Sequence, residues 1–519
     1  MKIKQVSLGL AAAAALVAAG CGGNGGGAQG NGGTKASTLR IAVNSQISGN
    51  PAKSEYAVYW GAMSTDPAYA ALFHLTPEGE VQAGLATKWG YANTGKAKNT
   101  VFDFTLRPGV KFSDGTPLTA AAAAGWLKYF VSAKGLFSGV LGPKPKFTVT
   151  GPRSVRITMK QPNPSLPLIL SDQGSVIGRI GSPKAVADPK LMDSGSYGAG
   201  PYMLQASSTV NGDHYTYVPN PYYYDKKAIR FKSIYLKVIA NASTRLQAQQ
   251  SGQYDLTIGD PTTAAAAKSA GLTVATAPQG MFYLSLDLQH DVGAPALRNP
   301  KVRQAINYAI DRDGISKGLF GGSSSPAYGF ITQDHDTSSA NLEYPHDVAK
   351  AKQLMAEAGY AKGFTLSSID TGTFFGKYGT PLINAVAQDL QAIGIKLDTK
   401  SYPNLSAYAT QVFKFKAAVA QSLGTIATTP AAYTQNVAPG APVNFYGKDQ
   451  QIADSYQEAV TSNDPGAGWD KMWQRFTGQA YTVPLVTYPA LYYVSKKIGG
   501  VEVSAKHPSA LPTEWYPAG

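Results

Sequence analysis

"PLINAVAQDLQAIGIKLDT", residues 381 to 399, reads as a helix that stops at Gly394 and runs straight into a strand. "RLQAQQSGQYDLTIG" (245 to 259) makes the same transition, with Gly252 at the turn. Helix, glycine and short apolar strand in succession are the signature of an α/β fold. Further out, "LRIAV" (39 to 43) and "VFDFTL" (101 to 106) predict strands by their alternation and their β-branched or aromatic content. "NPKVRQAINYAIDRDGI" (299 to 315) predicts one helix, with Asn299 as cap, Pro300 in the first turn, and Val302, Ala305, Ile306, Ala309 and Ile310 on one face. "DVAKAKQLMAEAGY" (347 to 360) repeats that logic: Asp347 caps, Val348, Ala351, Leu354, Met355 and Ala358 face inward, and Gly359 ends the helix.

A chain of 519 residues is too long for one ordinary core, so two or more lobes are expected. With 44% hydrophobic and only 15% charged residues, the composition excludes a disordered or fibrous protein. No repeat of 20 to 50 residues is present, which argues against a solenoid. Past residue 37 no low-complexity linker separates the lobes, so several chain crossings should weave them together.

Lys2 and Lys4 precede an apolar stretch from Val6 to Ala19, the pattern of an export signal. Cys21, the single cysteine, follows directly, so no intrachain disulfide can form. "AAGC" (18 to 21) resembles the lipobox of bacterial lipoproteins, in which cleavage precedes a lipid-modified cysteine. That resemblance implies a signal peptide over 1–20 and acyl chains on Cys21, each buried methylene adding about 0.8 kcal/mol of membrane affinity. Residues 21–37 would then be a lipidated glycine-rich tether reaching roughly 20 to 25 Å. No other run approaches the roughly 18 apolar residues needed to cross a bilayer. The expected location is the outer face of the bacterial cell membrane or the periplasm. Formal charge is +14, yet lysines and arginines are dispersed with no block of five or six, which argues against nucleic acid and suits an anionic membrane surface nearby.

Signals for covalent chemistry are weak. There is no Ser-x-x-Lys motif, and acylation of Cys21 would remove the one thiol nucleophile. The six histidines, His74, His214, His290, His335, His346 and His507, show no metal-binding spacing, so no metal site is expected and each reads as a surface or singly hydrogen-bonded residue. "GLFGGSSSP" (318 to 326) lacks the Gly-Lys-Ser/Thr end of a phosphate loop and reads as a loop. In "FSDGTP" Asp114 precedes Gly115 as a turn former. No cofactor and no enzyme activity are expected; a secreted hydrolase is the alternative.

The abundant feature is aromatic. Thirty tyrosines and six tryptophans include "YAVYW" (56 to 60), "PYYYD" (221 to 225) and "YPALYYV" (488 to 494), a supply of flat apolar surfaces with polar handles suited to extended ligands. For any one tyrosine, a place in the core is the default reading.

Taken together, several stretches resemble the extracellular solute-binding proteins of ABC importers, family 5, which include dipeptide and oligopeptide binders. "FTLRPGVKFSDGTPLTA" (104 to 120) is similar to the family signature, "GAGPYML" (198 to 204) to its Gly-x-Gly-Pro-Tyr turn, and "SGQYDLTI" (251 to 258) to its Ser-Gly-x-x-Asp strand entry. The helices at 299 to 315 and 351 to 360, and "VPLVTYPALYYVSKKIGGV" (483 to 501), follow in the family's order. The resemblance implies a two-lobed periplasmic-binding-protein-like fold of type II. It would comprise lobe I over 38–278 with an extra subdomain at about 75–190, lobe II over 279–481, and a return to lobe I over 482–519. "QGMFYLSLD" (279 to 287) resembles the first crossing. A ligand touching both lobes would favour the closed state, and a permease complex in the membrane would receive it from a monomeric protein.

Peptide binders of the family hold the ligand as an added extended strand and pair its amino group with an aspartate of the second lobe. For the cleft the expected residues are Ser45 after the first strand, Met281, Phe282 and Tyr283 at the crossing, Tyr378 and Tyr402 in lobe II, and Leu423 and Gly424 through backbone groups. The segment corresponding to the amine site is "AVAQSLGTIATTPAAYTQN" (418 to 436), and from Ser401 to Lys448 there is neither Asp nor Glu. A buried ammonium without a partner is costly. Either a free peptide amine finds its acid elsewhere, or the solute is a sugar, an opine-like compound or a blocked peptide.

Overall fold

Two long strands, Thr273–Leu286 and Thr482–Val494, lie antiparallel and carry the chain across a ten-stranded sheet. The computed structural model describes residues 38–518 apart from 47–48, 54–60, 93–96, 136, 291–294, 338–341, 373–377, 403–404, 415, 426 and 442. Cys21, the export signal, the tether and "YAVYW" lie outside the described residues.

In spatial order the sheet runs Ile395–Ser401, Phe364–Asp370, Val419–Thr425, Thr273–Leu286, Thr482–Val494, Leu256–Ile258, Thr38–Val43, Ser233–Val238, His214–Pro219 and Tyr202–Leu204. Its two flanks contain parallel pairs, Thr38–Val43 with Ser233–Val238 and Leu256–Ile258 on one side, and Phe364–Asp370 with Ile395–Ser401 on the other. Parallel strands need a crossover: helix Gly379–Gln391 joins the neighbours Phe364–Asp370 and Ile395–Ser401, and helix Ala242–Gln250 joins Ser233–Val238 to Leu256–Ile258 across Thr38–Val43. Each ends ahead of a glycine with positive φ, Gly252 at 76° and Gly394 at 83°, where a side chain would be strained.

Apolar burial divides along the two long strands. Leu39, Ile41, Leu236, Leu256 and Tyr492 build a core on one flank; Phe282, Leu284, Leu366, Leu382 and Val483 build another on the opposite flank. A third core, around Phe102, Phe104, Trp126 and Phe130, joins helix Ala120–Ser132 to a separate four-stranded sheet of Ala86–Tyr91, Val101–Leu106, Ser154–Thr158 and Lys146–Gly151. Where the long strands pass between the flanks, Pro278 sits opposite Pro489, and the register shifts between Pro278 and Gly280. Proline has no N–H, so this rung contributes no donor to the ladder.

The helix expected over 299–315 is two helices, Pro300–Ala309 and Arg312–Phe320. Asn299 caps the first as expected, accepting from the Lys301 N–H at 3.0 Å. Asp311 breaks the run by capping the second, accepting from the Gly314 N–H at 2.8 Å. The break turns the buried Arg312 guanidinium onto the carbonyls of Asn307, Ala327, Tyr344 and Pro484, and that tertiary network outweighs helical periodicity. Residues 318 to 320, expected in a loop, close the second helix. Among the described residues no helix is long and apolar enough to cross a membrane.

Candidate ligand-binding site

Strand Val419–Thr425 lies antiparallel to Thr273–Leu286, with Met281 opposite Gly424, Phe282 opposite Leu423 and Tyr283 opposite Ser422. Alternation along the strand sends Phe282 to one face, where it meets Phe320 at 5.9 Å and Tyr488 at 5.6 Å between ring centroids. Met281 and Tyr283 go to the other face, and Tyr283 packs edge-on against Phe330 at 5.4 Å. All three are buried, so side chains expected in the cleft fill the cores beneath it. Gly424 is close-packed, since a Cβ there would stand 3.3 Å from the Tyr283 ring. Leu423 is half-buried against the Phe282 core. Tyr378 is buried, stacking on Phe320 at 4.6 Å and 14°. Ser45 and Tyr402 are half-buried on other elements, Ser45 just past strand Thr38–Val43 and Tyr402 just past Ile395–Ser401.

A neighbouring segment sets an acid beside residues 427–429. Thr332 bridges in parallel to Ala427, and the Gln333 N–H donates to the Ala427 carbonyl at 3.0 Å. That register sets Asp334 beside Thr429, whose N–H and hydroxyl donate to Asp334 Oδ1 at 2.7 and 2.8 Å. The Ser165 hydroxyl donates to Oδ2. Burial raises the Asp334 pKa, and the hydrogen bonds from Ser165 and Thr429 offset this in part. All three donors are neutral, and among the described residues no cation partners this carboxylate.

Asp334 lines a cavity of about 420 Å³ together with Ser165, Gln333, His335, Trp469 and Lys506. Its walls come from segments far apart in sequence. The Gln333 side-chain amide donates to the carbonyls of Gln173 and Lys506 at 3.0 and 3.1 Å, and His335 Nε2 meets Asp470 Oδ1 at 2.8 Å. A concave site with an acceptor-rich, cation-free carboxylate suits a solute bearing an ammonium or guanidinium group. The sequence conceals Asp334 because it lies 95 positions from Thr429, outside the acid-free stretch 401–448; its hint is the acidic run "QDHD" (333 to 336) after an apolar stretch.

"GISKG" (314 to 318) has the Gly-x-Ser-x-Gly spacing of a hydrolase nucleophile, but Ser316 lies inside helix Arg312–Phe320, buried, with its hydroxyl donated to the Ser324 carbonyl at 2.6 Å. A nucleophile elbow requires a strand-to-helix turn with an exposed hydroxyl. Asp114 is the turn former expected, its Oδ1 accepting from the Thr116 N–H at 3.0 Å. Of the histidines, His507 departs most from expectation, being fully buried and held by several partners.

Comparison with known proteins agrees with this architecture. The glutathione-binding protein GsiB of Salmonella typhi is 30% identical over 343 residues, which span 63% of this chain and 62% of that protein. The crystal structure of NikA from Brucella suis in complex with Fe(III)-EDTA superposes with a TM-score of 0.77 at 21% identity, covering 92% of this chain and 99% of that one. DppA from Helicobacter pylori in complex with the peptide STSA gives a TM-score of 0.72 at 20% identity, covering 93% and 98%. These are periplasmic-binding-protein folds of two lobes. Residues 80–444 match the family described as bacterial extracellular solute-binding proteins, family 5 middle, and the chain belongs to that family.

Proposed function

We propose that this protein captures a peptide or peptide-like solute with a free cationic amine in the cavity beside Asp334 and delivers it to an ABC permease in the membrane. The observation that carries this reading is the Asp334 carboxylate, which lines the cavity and is hydrogen-bonded by three neutral donors, with no cation paired to it among the described residues. An ammonium placed there would gain a charge-assisted hydrogen bond and relieve the cost of the buried anion. The glutathione-binding and peptide-bound relatives take ligands of this chemistry. An acid at Asp334 also weakens the case for a sugar or a blocked peptide, which rested on the acid-free stretch 401–448.

The lobes assigned are 38–278, with an extra subdomain at about 75–190, then 279–481, and a return over 482–519. Separate apolar cores on the two flanks and the four-stranded sheet with its own core support that division. Closure would turn on the two long strands, and the Pro278–Pro489 rung is the hinge they offer. Ser45, Tyr402 and the backbone of Leu423 and Gly424 remain the proposed contacts on the cleft side, with Met281, Phe282, Tyr283 and Tyr378 supporting them from below. Cys21 is the proposed lipid anchor, holding a monomer at the outer face of the membrane. No covalent step is assigned.

Calorimetry with glutathione, trialanine and N-acetyl-trialanine tests the reading. Free-amine peptides should bind about thirtyfold or more tightly than the acetylated one, equivalent to about 2 kcal/mol for a lost charge partner. Equal affinity for both, or binding of sugars alone, would contradict it.

A further inference from the structure

Behind the carbonyls that receive Gln333, three segments bring imidazole and carboxylate groups together. His74 is the middle residue of strand Phe73–Leu75. The Asp172 N–H donates to the Phe73 carbonyl at 3.0 Å and the Leu75 N–H donates to Asp172 Oδ1 at 3.0 Å, which leaves Asp172 Oδ2 2.6 Å from His74 Nδ1. Glu514 enters from the C-terminal segment, held by its neighbours: Thr513 donates its N–H and hydroxyl to Asp66 Oδ2 at 3.0 and 2.7 Å, and Trp515 is buried. Glu514 Oε1 is 4.0 Å from His74 Nδ1 and 3.2 Å from His507 Nε2. One donor atom from each of His74, Asp172 and Glu514 lies within 4.8 Å of the other two.

We propose that His74, Asp172 and Glu514 bind one divalent transition-metal ion of the zinc type. One imidazole nitrogen and two carboxylate oxygens form a donor set such ions accept, at bond lengths of about 2.0–2.2 Å, so side-chain shifts of about 1 Å complete the site. The backbone contacts above fix Asp172 and Glu514 before any ion arrives. Arg179 is committed to Asp66 at 3.2 Å, and among the described residues the side-chain ion partners of Asp172 and Glu514 are the imidazoles of His74 and His507. A divalent ion balances both. His507 orients the Glu514 carboxylate, its Nε2 3.2 Å from Glu514 Oε1 and its Nδ1 3.2 Å from the Glu502 carbonyl. The side chains of His74 and Glu514 are 37% and 24% exposed, so an open coordination position faces solvent.

The ion would tie together a strand and a turn, whose ligands are 98 residues apart, and the distant C-terminal segment. Gln173 and Lys506, whose carbonyls hold Gln333, adjoin Asp172 and His507. Metal binding therefore stiffens the surface on which residues 333–334 are seated. Nothing in this inference depends on the nature of the solute.

Untagged protein is stripped with EDTA, dialysed, and titrated with Zn²⁺ by calorimetry. One equivalent should bind, with affinity falling at least about tenfold in His74→Gln and in Glu514→Gln and unchanged in His214→Gln, an imidazole paired with Asp213 elsewhere. Anomalous diffraction at the zinc edge from wild-type crystals gives a readout free of mutant folding, with the peak expected between His74 Nδ1, Asp172 and Glu514. Absence of Zn²⁺ binding by the wild type, equal binding by all three variants, or a peak elsewhere would overturn the proposal.

Discussion

Pro278 and Pro489 face each other on the two strands that cross the sheet, so the rung they share has no backbone donor. A weak rung beside a register shift concentrates bending at one place. Replacing both by valine restores a donor at each position and should stiffen the crossing by about 1 kcal/mol. Trialanine affinity is expected to weaken about fivefold by calorimetry, with the cavity residues untouched. Unchanged affinity would move the hinge elsewhere.

Arg179 meets Asp66 at 3.2 Å with side chains only 2% and 6% exposed. Removing one member of such a pair strands the other charge in the interior. Asp66→Ala, which also frees Thr513, should cost about 3–5 kcal/mol of unfolding free energy in urea. A loss below about 1 kcal/mol would mean that water reaches Arg179.

Asp449 caps helix Gln450–Val460 and accepts from Arg475 Nε at 2.9 Å and from the Tyr481 hydroxyl at 2.8 Å. Burial alone would raise its pKa, but the hydrogen bonds from Tyr481 and Arg475 prevail and hold it below the usual carboxylate range. A depressed folded-state pKa gives stability that is present above the unfolded value and lost as pH falls through the folded one. Asp449→Asn should therefore be about 1–2 kcal/mol less stable at pH 7. That difference should shrink as both proteins are taken below pH about 4. A constant gap down to acid pH would show that the charge contributes nothing.

At Gly394, φ is 83° and an added Cβ would lie 3.1 Å from Gly363 Cα. Gly394→Ala should cost about 1–2 kcal/mol in denaturant unfolding, the penalty of a left-handed residue. A neutral result would show that the turn can relax.

How much of this was legible beforehand depends on sequence distance. The helix, glycine and strand at 381–399 are local, and Gly379–Gln391 followed by Ile395–Ser401 matches that reading. The break at Asp311 was hidden because it serves Arg312, whose partners Ala327 and Pro484 lie outside any helical window. Asp334 and Thr429 are 95 positions apart, and His74 and Glu514 are farther still; only the folded chain brings such pairs together. Tyrosines and Met281 near the crossing drew attention as binding residues for their chemistry, yet the same apolar surfaces make them the residues the cores bury.

Cys21→Ser tests the anchor. In a bacterial host the wild type should sediment with membranes and enter the detergent phase, while the variant stays in the aqueous phase, since the loss of two or more acyl chains removes firm attachment. Equal partitioning of the two would dismiss lipidation.

If Asp334 holds the solute's amine, calorimetry with trialanine separates wild type from Asp334→Asn. Asparagine keeps an acceptor for the Thr429 N–H, so the fold should persist while affinity drops about thirtyfold or more. Wild-type affinity in a folded Asp334→Asn protein would contradict the account.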